Sequence, residues 1–213
     1  MKSIPPNHFG MKEAKNENNP QFWDHIYKAD EAAWDLGGPT PFFEDLAKTT
    51  PAGELIVIGC GSGYDAITFA KYGFDVTAVD FAPSAIKNLR TTSRKENVKL
   101  KIIEQDIFSL IPEYQNKFDY IIEQTCFCAI HPSRRQEYER LVKKLLKTDG
   151  LLIGLWFPLD KKLDEGGPPY GTSIKELENT FCNGWQIISK RFSNLSVSSR
   201  TGKEISIVFQ KQQ

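Results

Sequence analysis

A chain of 213 residues that is 40% hydrophobic and 12% aromatic can bury one sizeable core, so a single domain is the default. Its 27 Lys+Arg balance 27 Asp+Glu, and with no basic stripe a nucleic-acid partner is disfavoured. No run has the length of a membrane-spanning helix, and Met1 to His8 lacks the apolar core of a signal peptide, so a cytoplasmic protein with no membrane partner is expected.

Residues 1–19 are polar, with Pro5-Pro6 and a run of Asn, Glu and Lys, and are expected to form a mobile arm ahead of one domain over 20–213. Helical spacing starts near Pro20 and puts Phe22, Trp23, Ile26 and Tyr27 on one face. Trp34-Asp-Leu-Gly-Gly-Pro-Thr-Pro41 reads as a loop leading into a short helix, Phe42 to Lys48. A tryptophan on an apolar helix face is most often packing, but Trp34 lies in a Gly-Gly-Pro loop, and aromatic faces also suit a cation.

The apolar run Leu55 to Ile58 breaks into Gly59-Cys60-Gly61-Ser62-Gly63 and then into a helical pattern, which predicts a strand, a tight turn and a helix start. A second strand, Phe74 to Asp80, ends in a carboxylate about 20 residues past the glycines, so Asp80, with Phe81 beside it, is the ribose candidate. A third strand, Val98 to Gln105, ends at Asp106-Ile107, an acid for an adenine amino group and an apolar cover for the ring. Glycine turn, acid and acid describe an adenosine site. The dinucleotide fingerprint places a third glycine where this chain has Tyr64, so the spacing favours S-adenosylmethionine over NAD.

Pro83 opens a helix carrying Ile86 and Leu89, and Phe118 to Gln124 reads as a fourth strand. Ser133 to Lys147 reads as a helix with a Ser133/Gln136 capping box and a stop at Gly150, followed by a fifth strand, Leu151 to Phe157. Strand and helix in turn predict a parallel sheet covered on both faces by right-handed crossovers. Trp185 to Phe192 and Glu204 to Gln210 predict an antiparallel hairpin at its edge, turning at Arg200 to Lys203. The four cysteines, Cys60, Cys126, Cys128 and Cys182, have no Cys-x-x-Cys spacing, so reduced thiols are expected and no metal site. Asp65 is explained by the helix start it occupies, and His131 by the entry to the next helix, although its loop lies at the open end of the sheet.

Trp23 with Trp34-Asp-Leu-Gly, Gly59-Cys-Gly-Ser-Gly-Tyr-Asp65, Phe127-Cys-Ala-Ile130 before Pro132, and Gly166-Gly-Pro-Pro-Tyr170 are together selective. On these motifs the chain resembles the class I S-adenosylmethionine-dependent methyltransferases, within them the thiopurine S-methyltransferase family, and most its thiol, halide and thiocyanate branch. The resemblance implies a Rossmann-like α/β fold with a mostly parallel seven-stranded sheet and a C-terminal antiparallel hairpin. It implies S-adenosylmethionine as cofactor, S-adenosylhomocysteine as product, and a monomer or homodimer acting on a small-molecule acceptor. Trp23, Tyr27 and Trp34 match a cofactor cover over 20–48, Gly59 the methionine side, Asp80 the ribose, and Asp106 and Ile107 the adenine, with Cys60, Gly61 and Phe81 beside them counted as cofactor-binding. Gln124 matches a position where the family presents a varied residue to the cofactor. Most class I enzymes carry an acid where this chain has Val57, so the methionine ammonium must be held by backbone carbonyls near Gly59 or by Glu123 or Gln124, of which alternation lets one face the site.

Methyl transfer to such an acceptor suits a dry pocket of Trp34, Phe127, Cys128 and Tyr170 under a lid over 159–180, whose Gly166-Gly-Pro-Pro-Tyr170 otherwise reads as a surface turn that packs its tyrosine. Tyr170 or His131 would relay a proton if the acceptor is a neutral thiol. The acceptor is a thiol, bisulfide, thiocyanate or halide in this reading; a thiopurine-like, selenium or tellurium acceptor, or binding of S-adenosylmethionine without turnover, stays open beside it.

Overall fold

The computed structural model describes residues 17–213, and most of the arm expected over 1–19 lies outside them. Helices α1 (Pro20–Lys28) and α2 (Pro41–Thr49) precede the first strand, and both start on a proline whose missing N–H costs a first turn nothing. Then β1 (Glu54–Ile58), α3 (Tyr64–Lys71), β2 (Asp75–Asp80), α4 (Pro83–Lys95), β3 (Lys101–Glu104), β4 (Phe118–Gln124), α5 (Arg135–Leu145), β5 (Leu146–Trp156), α6 (Ile174–Thr180), β6 (Trp185–Arg191) and β7 (Ile205–Lys211) follow.

The sheet has seven strands in the order β3-β2-β1-β4-β5-β7-β6. Strands β1 to β5 run parallel, and β7 pairs antiparallel with both β5 and β6. Strand order reverses between β1 and β4, and in a doubly wound sheet the crevice beyond the carboxyl ends of such a pair is where ligands bind. Gly59 follows β1, and Gln124 ends β4.

Two apolar clusters sandwich the sheet, and β1 divides itself between them by strand alternation. Ile56 and Ile58 join Tyr138, Leu141, Val142 and Leu145 of α5 on one face. Leu55 and Val57 join Phe42 and Phe43 of α2 and Ala66, Ile67 and Phe69 of α3 on the other. Coverage of both faces is why the strands read as continuous apolar runs. Among the described residues no helix is long and apolar enough to cross a membrane.

Several local expectations are corrected or refined. The capping box at Ser133/Gln136 does not form: Ser133 N–H donates to His131 Nδ1 at 3.3 Å, a 3-10 turn covers Pro132–Arg134, and the α-helix begins at Arg135. That helix ends at Leu145, because Leu146 already pairs with Phe118, and Asp149 rather than Gly150 takes the left-handed conformation, at φ 62°. The third strand contracts to Lys101–Glu104. The expected lid contains α6, capped by Ser173 Oγ accepting from Glu176 N–H at 3.1 Å; in seven residues it buries only Leu177 and Thr180, too few for a periodic signal. The last two strands are joined not by a tight turn but by residues 192–204, which include a 3-10 turn at Ser198–Arg200.

At the end of β4, Glu123 turns inward, and its Oε1 accepts from the N–H groups of Cys126 (3.1 Å) and Phe127 (2.9 Å) while Oε2 accepts from Tyr138 Oη (2.7 Å). This cap directs Phe127 into the core, where it is 2% exposed and its ring lies 5.3 Å from those of both Tyr138 and Trp156. Phe127→Ala is therefore expected to destabilise the fold by about 3–5 kcal/mol, read as a lower urea midpoint at unchanged slope. A loss below ~1 kcal/mol would show that the ring is not a core element.

Candidate active site

A cavity of about 450 Å³ opens beyond the carboxyl ends of β1, β2 and β4, floored by the turn between β1 and α3. Gly59, Gly61 and Gly63 of this turn have φ of 57°, 53° and 80°, a region side chains disfavour. A Cβ on Gly59 would stand 2.8 Å from Cys126 Sγ, one on Gly61 2.7 Å from Tyr27 Oη, and one on Gly63 2.2 Å from Leu89 Cδ1. The main chain thus forms the floor itself. Asp80 fixes it: its Oδ2 accepts from Gly61 N–H and its Oδ1 from Ala82 N–H, each at 2.9 Å. Burial raises the Asp80 carboxyl above the usual range, opposed by these amide bonds.

Over the floor lies the N-terminal cover. The ring of Trp34 meets those of Trp23 (5.3 Å) and Tyr27 (5.8 Å) edge to face, and Trp34 Nε1–H donates to Tyr27 Oη at 3.3 Å. Burial, then the charge of Asp80, pushes the Tyr27 phenol far up, so it stays protonated. Asp24, which caps α4 by accepting from Ser84 N–H at 2.7 Å, holds α1 in place; its carboxyl is lowered to about 2, first by Lys28 and then by Ser84.

The loop from Trp34 to Thr40 is fastened at both ends. Ser62 Oγ donates to Asp35 Oδ2 at 3.1 Å, and Arg200 donates to the carbonyl of Trp34 at 2.9 Å. Thr40 donates through its N–H to Asp65 Oδ1 (2.7 Å) and through Oγ1 to Asp65 Oδ2 (3.0 Å), while Gln124 Nε2 donates to Thr40 Oγ1 at 2.6 Å. Burial raises the Asp65 carboxyl to about 6, against Thr40 and the charge of Arg200. The sequence-level account of Asp65 as a helix-start residue is therefore incomplete: it clasps the cover to the sheet.

The cavity wall is chemically mixed. Asp80 and Phe81, then Asp106, Ile107 and Phe108, belong to it; Asp106 accepts from Phe108 N–H at 3.0 Å, and the Arg134 guanidinium lies 3.8 Å from the Phe108 ring centre. Cys128 and Phe157 stand near Arg200 in another part of the wall, and Gln124, Cys126, Pro168 and Pro169 line the cavity as well. Gln124 faces the cavity and Glu123 the core, which decides the alternation left open by the sequence.

Trp23, Tyr27, Trp34, Gly59, Cys60, Gly61, Asp80, Phe81, Asp106, Ile107, Gln124 and Cys128 are brought to one cavity. Phe127, His131 and Tyr170 do not line it. Phe127 is taken into the core by the Glu123 cap. Tyr170 turns beneath its loop, which presents the two prolines instead: its N–H donates to Cys128 O at 2.7 Å, its hydroxyl to Glu17 Oε1 at 3.0 Å, and its ring packs 5.3 Å from His131. His131 Nδ1 is engaged by Ser133.

Arg200 is the residue that sequence reasoning missed. It is 6% exposed, lies 5.2 Å from the Phe157 ring centre, and has Glu204 at 3.9 Å, too long for a hydrogen bond; burial raises the Glu204 carboxyl. Its signal was faint, one arginine in a stretch that reads as a surface turn.

A family model described as thiopurine S-methyltransferase matches residues 18–213. The probable thiol methyltransferase 2 of Arabidopsis thaliana is 36% identical over 194 residues, covering 89% of this chain and 84% of that one. Thiocyanate methyltransferase 1 of Arabidopsis thaliana is 30% identical over 187 residues, covering 85% and 81%. Among solved structures, the Burkholderia thailandensis 1,6-didemethyltoxoflavin-N1-methyltransferase, with that compound and S-adenosylhomocysteine bound, superposes with a TM-score of 0.72 at 15% identity, covering 100% of this chain and 94% of that one. That likeness is one of fold.

Burial pushes the thiols around the cavity up, Cys128 to about 12 and Cys60 and Cys126 well above the ordinary value, so none is a thiolate at neutral pH. Cys182 is exposed. Ellman's reagent at pH 8 is expected to titrate Cys182 rapidly and the other three only on unfolding. Fast reaction of a second thiol in the folded protein would contradict this picture of the cavity wall.

Proposed function

The chain belongs to the thiopurine S-methyltransferase family and is an S-adenosylmethionine-dependent methyltransferase, and we propose that its acceptor is a small, soft anion, a thiolate or thiocyanate foremost. The observation that carries this reading is Arg200, a guanidinium buried in the cavity wall near Cys128 and Phe157.

The residues present fit the cofactor. A floor of bare main chain, into which side chains at Gly59, Gly61 and Gly63 would collide, leaves room for a ligand to lie against the backbone. Asp80 retains lone pairs for ribose hydroxyls, Asp106 and Ile107 offer a carboxylate and an apolar face to adenine, and Trp23, Tyr27 and Trp34 offer aromatic faces to a cation. When bound, S-adenosylmethionine supplies an electrophilic methyl group on a sulfonium sulfur.

Catalysis by this chain is then positioning and exclusion of water. Arg200 draws the anion to the acceptor site and, for a thiol, favours its ionised form; the proton leaves to solvent before transfer. Cys128, Phe157, Pro168 and Pro169 keep that site poor in water, which would otherwise quench the nucleophile. Tyr170 and His131, expected as proton relays, stand behind the wall; with its hydroxyl committed to Glu17, Tyr170 instead ties the segment ahead of α1 to the acceptor side. Free cysteines suit a reducing cytoplasm.

The test is a headspace assay for methylated products across thiocyanate, hydrosulfide, small thiols and iodide. Product from thiocyanate and thiols is expected. Thiol turnover should rise across pH 7 to 9 as the thiolate fraction grows, whereas thiocyanate turnover should not. Arg200→Met should raise KM for thiocyanate roughly tenfold or more, the worth of a hydrogen bond to a charged group, with S-adenosylhomocysteine affinity within about twofold and partial rescue in Arg200→Lys. An unchanged KM in Arg200→Met would remove the guanidinium from the acceptor site.

A further inference from the structure

A buried hydroxyl with one proton can point a neighbouring amide. Thr40 Oγ1–H is given to Asp65 Oδ2 at 3.0 Å, and Asp65 Oδ1 is taken by Thr40 N–H at 2.7 Å. Having spent its proton, the Thr40 hydroxyl can only accept, so the side of the Gln124 amide facing it, 2.6 Å away, must be Nε2–H. The carbonyl Oε1 is then on the other side, in a residue that lines the cavity, and no donor of the described residues reaches it. Thr40 and Asp65 thus set which pole of the amide the cavity meets.

An amide oxygen offered to a cavity calls for a donor. In the cofactor the strongest donor outside the adenosine portion is the α-ammonium of the methionine portion, and this chain has no acid on β1 to receive it: Val57 is apolar and 5% exposed in the core. Glu123, its neighbour on β4, has both oxygens occupied by Cys126, Phe127 and Tyr138. Asp35 is engaged by Gly37 N–H at 2.7 Å and by Ser62. We infer that Asp65, acting through Thr40, orients Gln124 so that its Oε1 receives the cofactor's α-ammonium in place of the missing carboxylate. Asp65 is a positioning residue in this arrangement, and Gln124 a binding one. The arrangement rests on the reading that the cavity holds S-adenosylmethionine.

The experiment compares two ligands on the full chain by calorimetric titration: S-adenosylhomocysteine and its analogue lacking the α-amino group. The wild type should bind the amine about tenfold or more tightly than the deaminated ligand, as for a hydrogen bond from a charged donor. In Gln124→Ala the preference should collapse to within about twofold, because the loss falls on one ligand and not on the other. Gln124→Glu, with oxygens alone, should keep it, and so should Thr40→Ser, which keeps the hydroxyl; Thr40→Val and Asp65→Asn, which release the amide, should lose most of it. A general loosening of the fold would lower both affinities together and leave their ratio unchanged. An undiminished ratio in Gln124→Ala would overturn the binding role, and an undiminished ratio in both Asp65→Asn and Thr40→Val would overturn the relay. Failure of the wild type to bind either ligand would instead overturn the cofactor reading beneath it.

Discussion

The carboxylate of Asp80 is the constraint on which the site depends. Its two oxygens accept from Gly61 and Ala82 at 2.9 Å each, and in doing so hold the left-handed glycine turn against the end of β2. The turn in turn dictates the rest: no Cβ fits at Gly59 or Gly61, because Cys126 and Tyr27 already occupy that space. Cover and floor are therefore built around bare backbone. Such an acid stays buried because two amides satisfy it, at the cost of a raised carboxyl pKa.

Electrostatically the cavity wall is mixed. Arg134 stands near Asp106, and Arg200 near Asp65, so each of these cations has a carboxylate within reach in the cavity wall. The cavity thiols are neutral, since burial disfavours the thiolate, so they are wall rather than nucleophile. The Trp34–Thr40 loop lies along this wall. Arg200 grips it at the Trp34 carbonyl, Ser62 at Asp35 and Asp65 at Thr40, so hydrogen bonds tie this loop to the glycine turn and to the buried arginine.

What the sequence made legible was what strand period and turn chemistry encode. β4 was read to the residue, β1 and β2 to within one, and the glycine spacing with Asp80 and Asp106 located the floor and part of the wall of the cavity. Side-chain direction in irregular segments was not legible. Phe127 follows a strand at the open end of the sheet, as a pocket residue would, and only the inward turn of Glu123 sends its ring to the core. Tyr170 sits in a motif typical of a lid, yet its N–H bond to Cys128 turns the prolines, not the phenol, toward the cavity. Arg200 was hidden for the opposite reason: its burial comes from packing against Phe157 and Trp34, which lie far from it in sequence and carry no local periodicity. The Thr40–Asp65–Gln124 relay joins residues up to 84 apart, a contact set by tertiary structure alone.

The central claim is that the space between the glycine turn and the aromatic cover is the cofactor bed. Amide hydrogen exchange with and without S-adenosylhomocysteine tests it most directly, because the cover carries few core contacts and should open readily in the free protein. The account predicts strong protection on binding across residues 20–40 and 59–63, with β6 and β7 unchanged. Exchange over 20–40 that is the same in both states would contradict it.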